Sequence, residues 1–155
     1  MNITTREATA GDTRSVAELF DLYRQFYEQP ADLPRATAFI AERINRKESV
    51  ILLATSVEVG PVGFCQLYPT FCSVEAQPIY ALYDLFVQPV ARKRGVGQML
   101  LQAAEERARA DGRARMDLTT ARTNHPAQRL YESMGWVRDE VFFAYSRRVG
   151  SPSAP

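Results

Sequence analysis

Apolar residues recur at helical spacing through Val16, Leu19, Phe20, Tyr23, Phe26 and Tyr27, which predicts an amphipathic helix from about Asp12 to Gln29. Ahead of it, Asn2–Arg6 reads as a first strand. Pro30 and Pro34 break the helical pattern, and Pro34 suits the first turn of a second short helix containing Phe39, Ile40 and Ile44. Val50–Val57 and Val62–Tyr68 are strand candidates separated by Glu58–Pro61. The stretch Pro69–Gln77 reads either as an elongated turn or as a strand extension, and a further strand ends near Val87.

From Gly95 to about Arg109 the apolar stripe is Val96, Met99, Leu100, Ala103 and Ala104, opposite Gln102, Glu105, Glu106 and Arg109. Arg107 falls on the apolar side; its stem can lie along the stripe while its charge stays in water. Asp111–Gly112 ends this helix, and Ala114–Thr120 returns as a strand. Asn124–Met134 is a short helix stopped by Gly135, with Trp136–Arg147 as the last strand material. Two late crossings between strand and helix predict a parallel element inside an otherwise antiparallel sheet. The fold class expected is therefore a single α/β domain over residues 1–149, with a mixed, mostly antiparallel central sheet flanked by helices. Residues 150–155 are small and proline-rich and read as a flexible tail.

Composition narrows the function classes. A chain of 155 residues suits one domain, and 46% hydrophobic with 24% charged residues fits neither a disordered chain nor a membrane protein. Nineteen basic against 18 acidic residues leave a net charge of +1, which argues against a nucleic-acid partner that needs an extended basic surface. The amino terminus does not resemble a signal peptide, and no apolar run reaches the roughly 20 residues that span a bilayer, so a cytoplasmic location without membrane association is expected. Cys65 and Cys72 form neither a redox pair nor half of a zinc cluster, and no metal is expected. On one strand their odd separation puts them on opposite faces, as buried or partly buried thiols.

The candidate chemistry concentrates in Leu82–Gly97, read as LYDLFVQPVARKRGVG. A mostly apolar strand ends in a proline-bearing turn and the basic triplet Arg92, Lys93 and Arg94. Gly95 and Gly97 then flank Val96 where a helix starts. Glycines let backbone amides approach a ligand closely, and unpaired N–H groups at a helix start favour an anion. A Walker loop would need Gly-Lys followed by Ser or Thr, and a Rossmann loop a third glycine near the start of a βαβ unit; neither is present. Taken alone, the two glycines also suit a plain tight turn.

The run Arg92–Lys93–Arg94–Gly95–Val96–Gly97 resembles the Arg/Gln-x-x-Gly-x-Gly/Ala loop of the GNAT superfamily of N-acetyltransferases, which use acetyl-coenzyme A. Leu118–Thr119, Asn124, Ala127, Leu130–Tyr131–Glu132 and Gly135–Trp136 resemble that family's second cofactor-binding region, so the likeness covers about Leu82–Trp136. It implies that main-chain amides around Arg92–Gly97 bind pyrophosphate, and that backbone groups of Leu85, Phe86 and Val87 flank the acetyl and pantetheine portions. A locally disturbed strand registry would free the N–H that polarises the thioester carbonyl. Asn124 and Ala127 would contact the cofactor, although Asn124 also suits an N-cap of its helix. Tyr131 matches the tyrosine that approaches the coenzyme sulfur and serves as general acid, since a phenol is protonated at neutral pH.

The base is less determinate. Polyamine-acetylating relatives carry a glutamate where this chain has Tyr83, in Leu82–Tyr83–Asp84. Asp84 and Glu28 are the candidate carboxylates, and a water path could share the proton. His125, beside Pro126, reads as structural or exposed. The resemblance implies direct acetyl transfer to a primary amine, favouring a small molecule. The alternatives are a protein or peptide N-acetyltransferase, or a non-catalytic coenzyme- or drug-binding protein. A homodimer is an assembly to test.

Overall fold

A computed structural model describes residues 1–150. The expected tail, apart from Gly150, lies outside the described residues. Two compact units divide the chain, Met1–Thr119 and Thr120–Pro155. The first holds strands β1 (Ile3–Glu7), β2 (Val50–Ser56), β3 (Gly60–Cys72), β4 (Gln77–Val87) and β5 (Met116–Asp117), with helices α1 (Thr13–Phe26), α2 (Leu33–Asn45) and α3 (Val96–Ala110). The second holds α4 (His125–Ser133).

The sheet has the order β1-β2-β3-β4-β5, antiparallel except for the last pair, β4 with β5, which is parallel. This is the mixed, mostly antiparallel sheet that the strand–helix crossings predicted. Val16, Ala17, Leu19 and Phe20 of α1 pack with Ala36 and Ile40 of α2 onto Ile51, Leu53, Phe64 and Phe86 of the sheet, which makes one core layer. On the other face α3 packs against β1–β4, with Val96, Leu100, Leu101 and Ala104 buried. Cys65 is fully buried on β3, and its burial, with the Asp84 charge adding to it, pushes the thiol up to about 12.

Several boundaries differ from the sequence expectation. The first helix ends at Phe26, because Glu28 takes a left-handed conformation (φ 64°) that stops the helical ladder. The second helix is not short: Asp32 caps it by accepting the Arg35 N–H at 3.1 Å, and Pro34 sits in its first turn. The buried Asp21 carboxylate accepts the Asp32 N–H at 2.9 Å, which fixes the link between α1 and α2. The stretch Pro69–Gln77 resolves into an extension of β3 to Cys72, a turn, and the first residue of β4. Arg107 stays partly exposed and its charge is paired. It meets Glu7 at 2.6 Å and Asp111 at 2.8 Å, and Asp111 also accepts the Tyr80 hydroxyl at 2.5 Å, so α3, β1 and β4 are tied together.

The strand expected over Ala114–Thr120 narrows to Met116–Asp117, and Trp136–Arg147 forms no strand at all. Val141, Phe142, Phe143 and Tyr145 are exposed, and the segment's bonds are local: Asp139 accepts the Val141 and Phe142 N–H groups, and Arg138 pairs with Glu140. Aromatic and β-branched residues favour a strand only where a neighbouring strand offers its edge.

Gly63 sits where β4 and α3 close over β3. A Cβ there would lie 2.9 Å from the Phe86 carbonyl oxygen and 3.4 Å from side-chain atoms of Leu100 and Val87. Gly63→Ala should therefore lower the unfolding free energy by about 1–3 kcal/mol, as overpacking against backbone does. Denaturant melts of parent and variant that share one midpoint and slope would show that β4 yields at no cost.

Candidate active site

The end of β4 is the centre of the site. Tyr80 and Ala81 pair with Met116 and Asp117, and there the β4–β5 ladder stops, while β4 continues to Val87. From Leu82 onward no strand among the described residues pairs with that side of β4. On the other side the β3 ladder runs through, with one irregularity: Gln66 faces Asp84 and Leu67 faces Leu82, so Tyr83 is an extra residue.

That extra residue changes which backbone groups face outward. The Gln88 N–H bonds the Val62 carbonyl at 2.8 Å, toward β3, whereas the Tyr80 N–H bonds the Arg115 carbonyl at 3.1 Å, on the β5 side. Successive residues of a strand point their polar groups to alternate sides, so two even-numbered residues would point the same way without a bulge between them. Counting back from Gln88, the N–H and C=O groups of Val87 and Leu85 face the open side. Phe86 instead pairs with Phe64 of β3 and places its ring in the core under α1. The three residues anticipated as one backbone platform thus divide, with Leu85 and Val87 on the open edge and Phe86 behind it.

Past Val87 the chain makes a 3-10 turn over Pro89–Ala91 and enters the basic loop. Lys93 (φ 60°) and Gly95 (φ 79°) are both left-handed, which turns successive amides toward a common concavity. Gly95 is the N-cap of α3, with no side-chain cap and no acidic residue in the first turn, so the amides of Val96, Gly97 and Gln98 begin the helix uncapped. Lys93 and Arg94 are exposed beside them. The Arg92 side chain takes another direction. Its Nε donates to the Val87 carbonyl at 2.9 Å, and its guanidinium carbon lies 5.7 Å from the Phe86 ring centre and 5.9 Å from that of Phe26.

On the α1 face, Asp84 is buried and accepts the Gln66 side-chain amide at 2.5 Å; Gln66 in turn accepts the Ser49 hydroxyl at 2.7 Å. Burial raises the Asp84 pKa above the usual carboxylate range, with the Gln66 amide and the Tyr23 hydroxyl pulling it back. The Tyr23 hydroxyl donates to the Tyr83 carbonyl at 3.2 Å. Tyr83 itself is 70% exposed and meets Tyr68 edge to face at 5.5 Å between ring centres. Burial, and then the Asp84 charge, also raise the Tyr68 hydroxyl pKa. Two neighbours thus differ in environment: Tyr83 is exposed and Asp84 is buried, near the aromatic end of α1 formed by Tyr23, Phe26 and Tyr27. Glu28 follows on the exposed surface.

The Gln66–Ser49 relay behind Asp84 was not anticipated from the sequence. Its only signal there is a glutamine inside an apolar strand run, which marks a buried polar contact without naming its partner.

In the second unit, Asn124 caps α4 by accepting the Ala127 N–H at 3.3 Å, and Pro126 sits in the first turn. Tyr131 is half-buried and lies 6.1 Å from Trp136 between ring centres, while the Trp136 N–H bonds the Tyr131 carbonyl at 3.0 Å.

Residues 16–136 match the model of the acetyltransferase (GNAT) family. An uncharacterized N-acetyltransferase of Bacillus subtilis, YhfO, is 45% identical over 150 residues, covering 96% of this chain and 98% of its own. The D-amino-acid N-acetyltransferase HPA3 of Saccharomyces cerevisiae is 30% identical over 92 residues, 59% of this chain and 57% of that one. A crystal structure of a probable acetyltransferase superposes with a TM-score of 0.87 at 37% identity, covering 97% of this chain and 99% of the other.

The raised pKa of Asp84 has a signed consequence. The folded state favours the protonated acid, so this group supports folding below the unfolded value of about 3.9 and loses that support as pH rises through its folded pKa. Asp84→Asn cannot ionise and should be more stable than the parent at neutral pH, with the gap closing toward acid. Melting curves across pH test this; a variant less stable than the parent throughout would mean that the carboxylate is paired better than its burial suggests.

Proposed function

The chain belongs to the acetyltransferase (GNAT) family, and on that footing we propose that it transfers an acetyl group directly from acetyl-coenzyme A to a primary amine of a small molecule. The observation that carries this reading is the open edge of β4 next to the uncapped, glycine-started α3. Outward N–H groups of Leu85 and Val87 suit the thioester and pantetheine, and the amides from Lys93 to Gln98 suit a diphosphate. When bound, acetyl-coenzyme A supplies an activated acyl carbon whose C–S bond breaks as the C–N bond to the amine forms.

The chain's own residues then have distinct tasks. An outward N–H at Leu85 or Val87 is fixed by the sheet and stabilises the negative charge that grows on the acyl oxygen without having to reorient. Asp84 is set back from the surface and has its pKa raised by burial, which makes it a better proton acceptor than an exposed carboxylate. It shares that task with solvent and with Glu28, so neither carboxylate is indispensable. Tyr131 carries the proton for the departing thiolate. Asn124 holds the start of α4, on which Ala127 and Tyr131 stand. The aromatic end of α1 gives the acceptor an apolar wall, and HPA3, named for a D-amino-acid acceptor, supports a small molecule over a protein terminus.

The reading is tested by incubating the purified protein with acetyl-coenzyme A and a diverse panel of amines, with mass detection of acetylated products. Tyr131→Phe should lower the transfer rate by about 100-fold or more, the range seen when a positioned acid is lost, while retaining cofactor affinity. A parent-like rate, with chemistry shown to be limiting, removes Tyr131 from the proton path. Gly97→Val should weaken acetyl-coenzyme A binding far more than it lowers the melting temperature. Unchanged affinity by calorimetry would move the diphosphate away from this loop. Cofactor binding without any acetylated product would instead mark a non-catalytic coenzyme-binding protein.

A further inference from the structure

Arg92 is placed oddly for a member of a basic phosphate loop. Its guanidinium turns back along β4, anchored by Nε on the Val87 carbonyl at 2.9 Å and lying near the rings of Phe26 and Phe86. Among the described residues no carboxylate lies within 4 Å of the Arg92 nitrogens. One nitrogen is pinned on the Val87 carbonyl and two aromatic rings flank the guanidinium at 5.7 and 5.9 Å, which leaves the two terminal nitrogens as a fork. That fork matches a carboxylate in bidentate geometry.

Its position says what the carboxylate belongs to. The carbonyl that anchors Arg92 is part of the open β4 edge assigned above to the thioester. Asp84, one proton acceptor, lies on the same face of β4 as Phe86 and two residues away, about 6.6 Å along the strand. An anion on the fork would sit beside the β4 edge, which suits an acceptor whose carboxylate and attacking amine belong to one short molecule. A guanidinium here also repels polycationic acceptors.

The geometry points to an amino acid as acceptor, with its carboxylate on Arg92, its amine toward the Asp84 side and its side chain along Phe26 and Tyr27. This rests on the acetyl-transfer reading and names the substrate class. It separates the roles of the basic loop: the backbone and Lys93 face the cofactor, and the Arg92 side chain selects the acceptor. The transfer itself is unchanged. The amine nitrogen bonds the acetyl carbon, the thiolate departs and takes a proton, and the carboxylate takes no part in bond changes.

The test uses matched trios: phenylalanine, methionine or leucine in both enantiomers, the corresponding amides, and the decarboxylated amines, assayed by thiol release from acetyl-coenzyme A. The free amino acid should exceed its amide and its amine in kcat/KM by about 10- to 100-fold, the scale of a hydrogen-bonded charged pair. Arg92→Gln should erase that preference mainly through the acceptor KM, and Arg92→Lys should restore only part of it. Equal or better turnover of amides and amines overturns the assignment, as does an Arg92→Gln effect confined to acetyl-coenzyme A affinity. Should no amine release thiol, the acetyl-transfer reading fails by itself. Calorimetric titration of N-acetylphenylalanine and its amide into protein with coenzyme A then decides: carboxylate-dependent binding lost in Arg92→Gln upholds the site, and its absence from the parent refutes it.

Discussion

Everything at this site depends on a strand that loses one neighbour partway along its length. β4 is held on both sides as far as Ala81, then on one side only to Val87. A bare strand edge is ordinarily an invitation to wrong pairing. Here the edge is short, starts beside a bulge and is closed off by the turn into α3. The β3 ladder continues beneath it, so the exposed amides keep fixed directions. Preorganised donors of this kind need no rearrangement when charge develops in front of them.

Burial sets a second division beside the bulge: Asp84 is enclosed in the layer under α1 while its neighbour Tyr83 stands in solvent. Gln66 and Ser49 then give the buried carboxylate a donor from behind, which stops it from swinging toward the nearest amide or water. On the proposed reading, the acceptor side is built from side chains at helix and strand ends, and the cofactor side from backbone. On that reading, substitution at Tyr23, Phe26, Tyr27, Tyr83 or Arg92 shifts acceptor preference without remaking the amide edge.

Much of this was legible in the sequence. The helical stripe from Val16 to Phe26, the glycine-started α3 and the parallel β4–β5 pair all follow from local periodicity and turn chemistry. What escaped depends on partners distant in sequence. The family resemblance implied a disturbed registry, but its place at Tyr83 cannot be read from Leu82–Tyr83–Asp84, because it is defined only by register against Gln66 and Leu67. Arg92 reads as one of three equivalent cations until Val87, Phe86 and Phe26 give its plane a direction. Trp136–Arg147 has the composition of a strand but pairs with none among the described residues, so propensity alone misled. Gly63 is a plain glycine in an apolar run until Phe86 and Leu100 close over it.

Cys65 offers an experimental handle that comes with the fold. It sits fully buried on β3, opposite Leu85, behind the strand whose free edge forms the site. With its pKa at about 12 and no solvent access, the thiol is inert to alkylating reagents as long as β3 and β4 stay paired. With the partly exposed Cys72 replaced by serine, each labelling event counts an opening around Cys65, so the mass gained over time is a clock for local unfolding at the centre of the sheet. Ligands that fill the β4 edge should slow that clock without touching the sulfur.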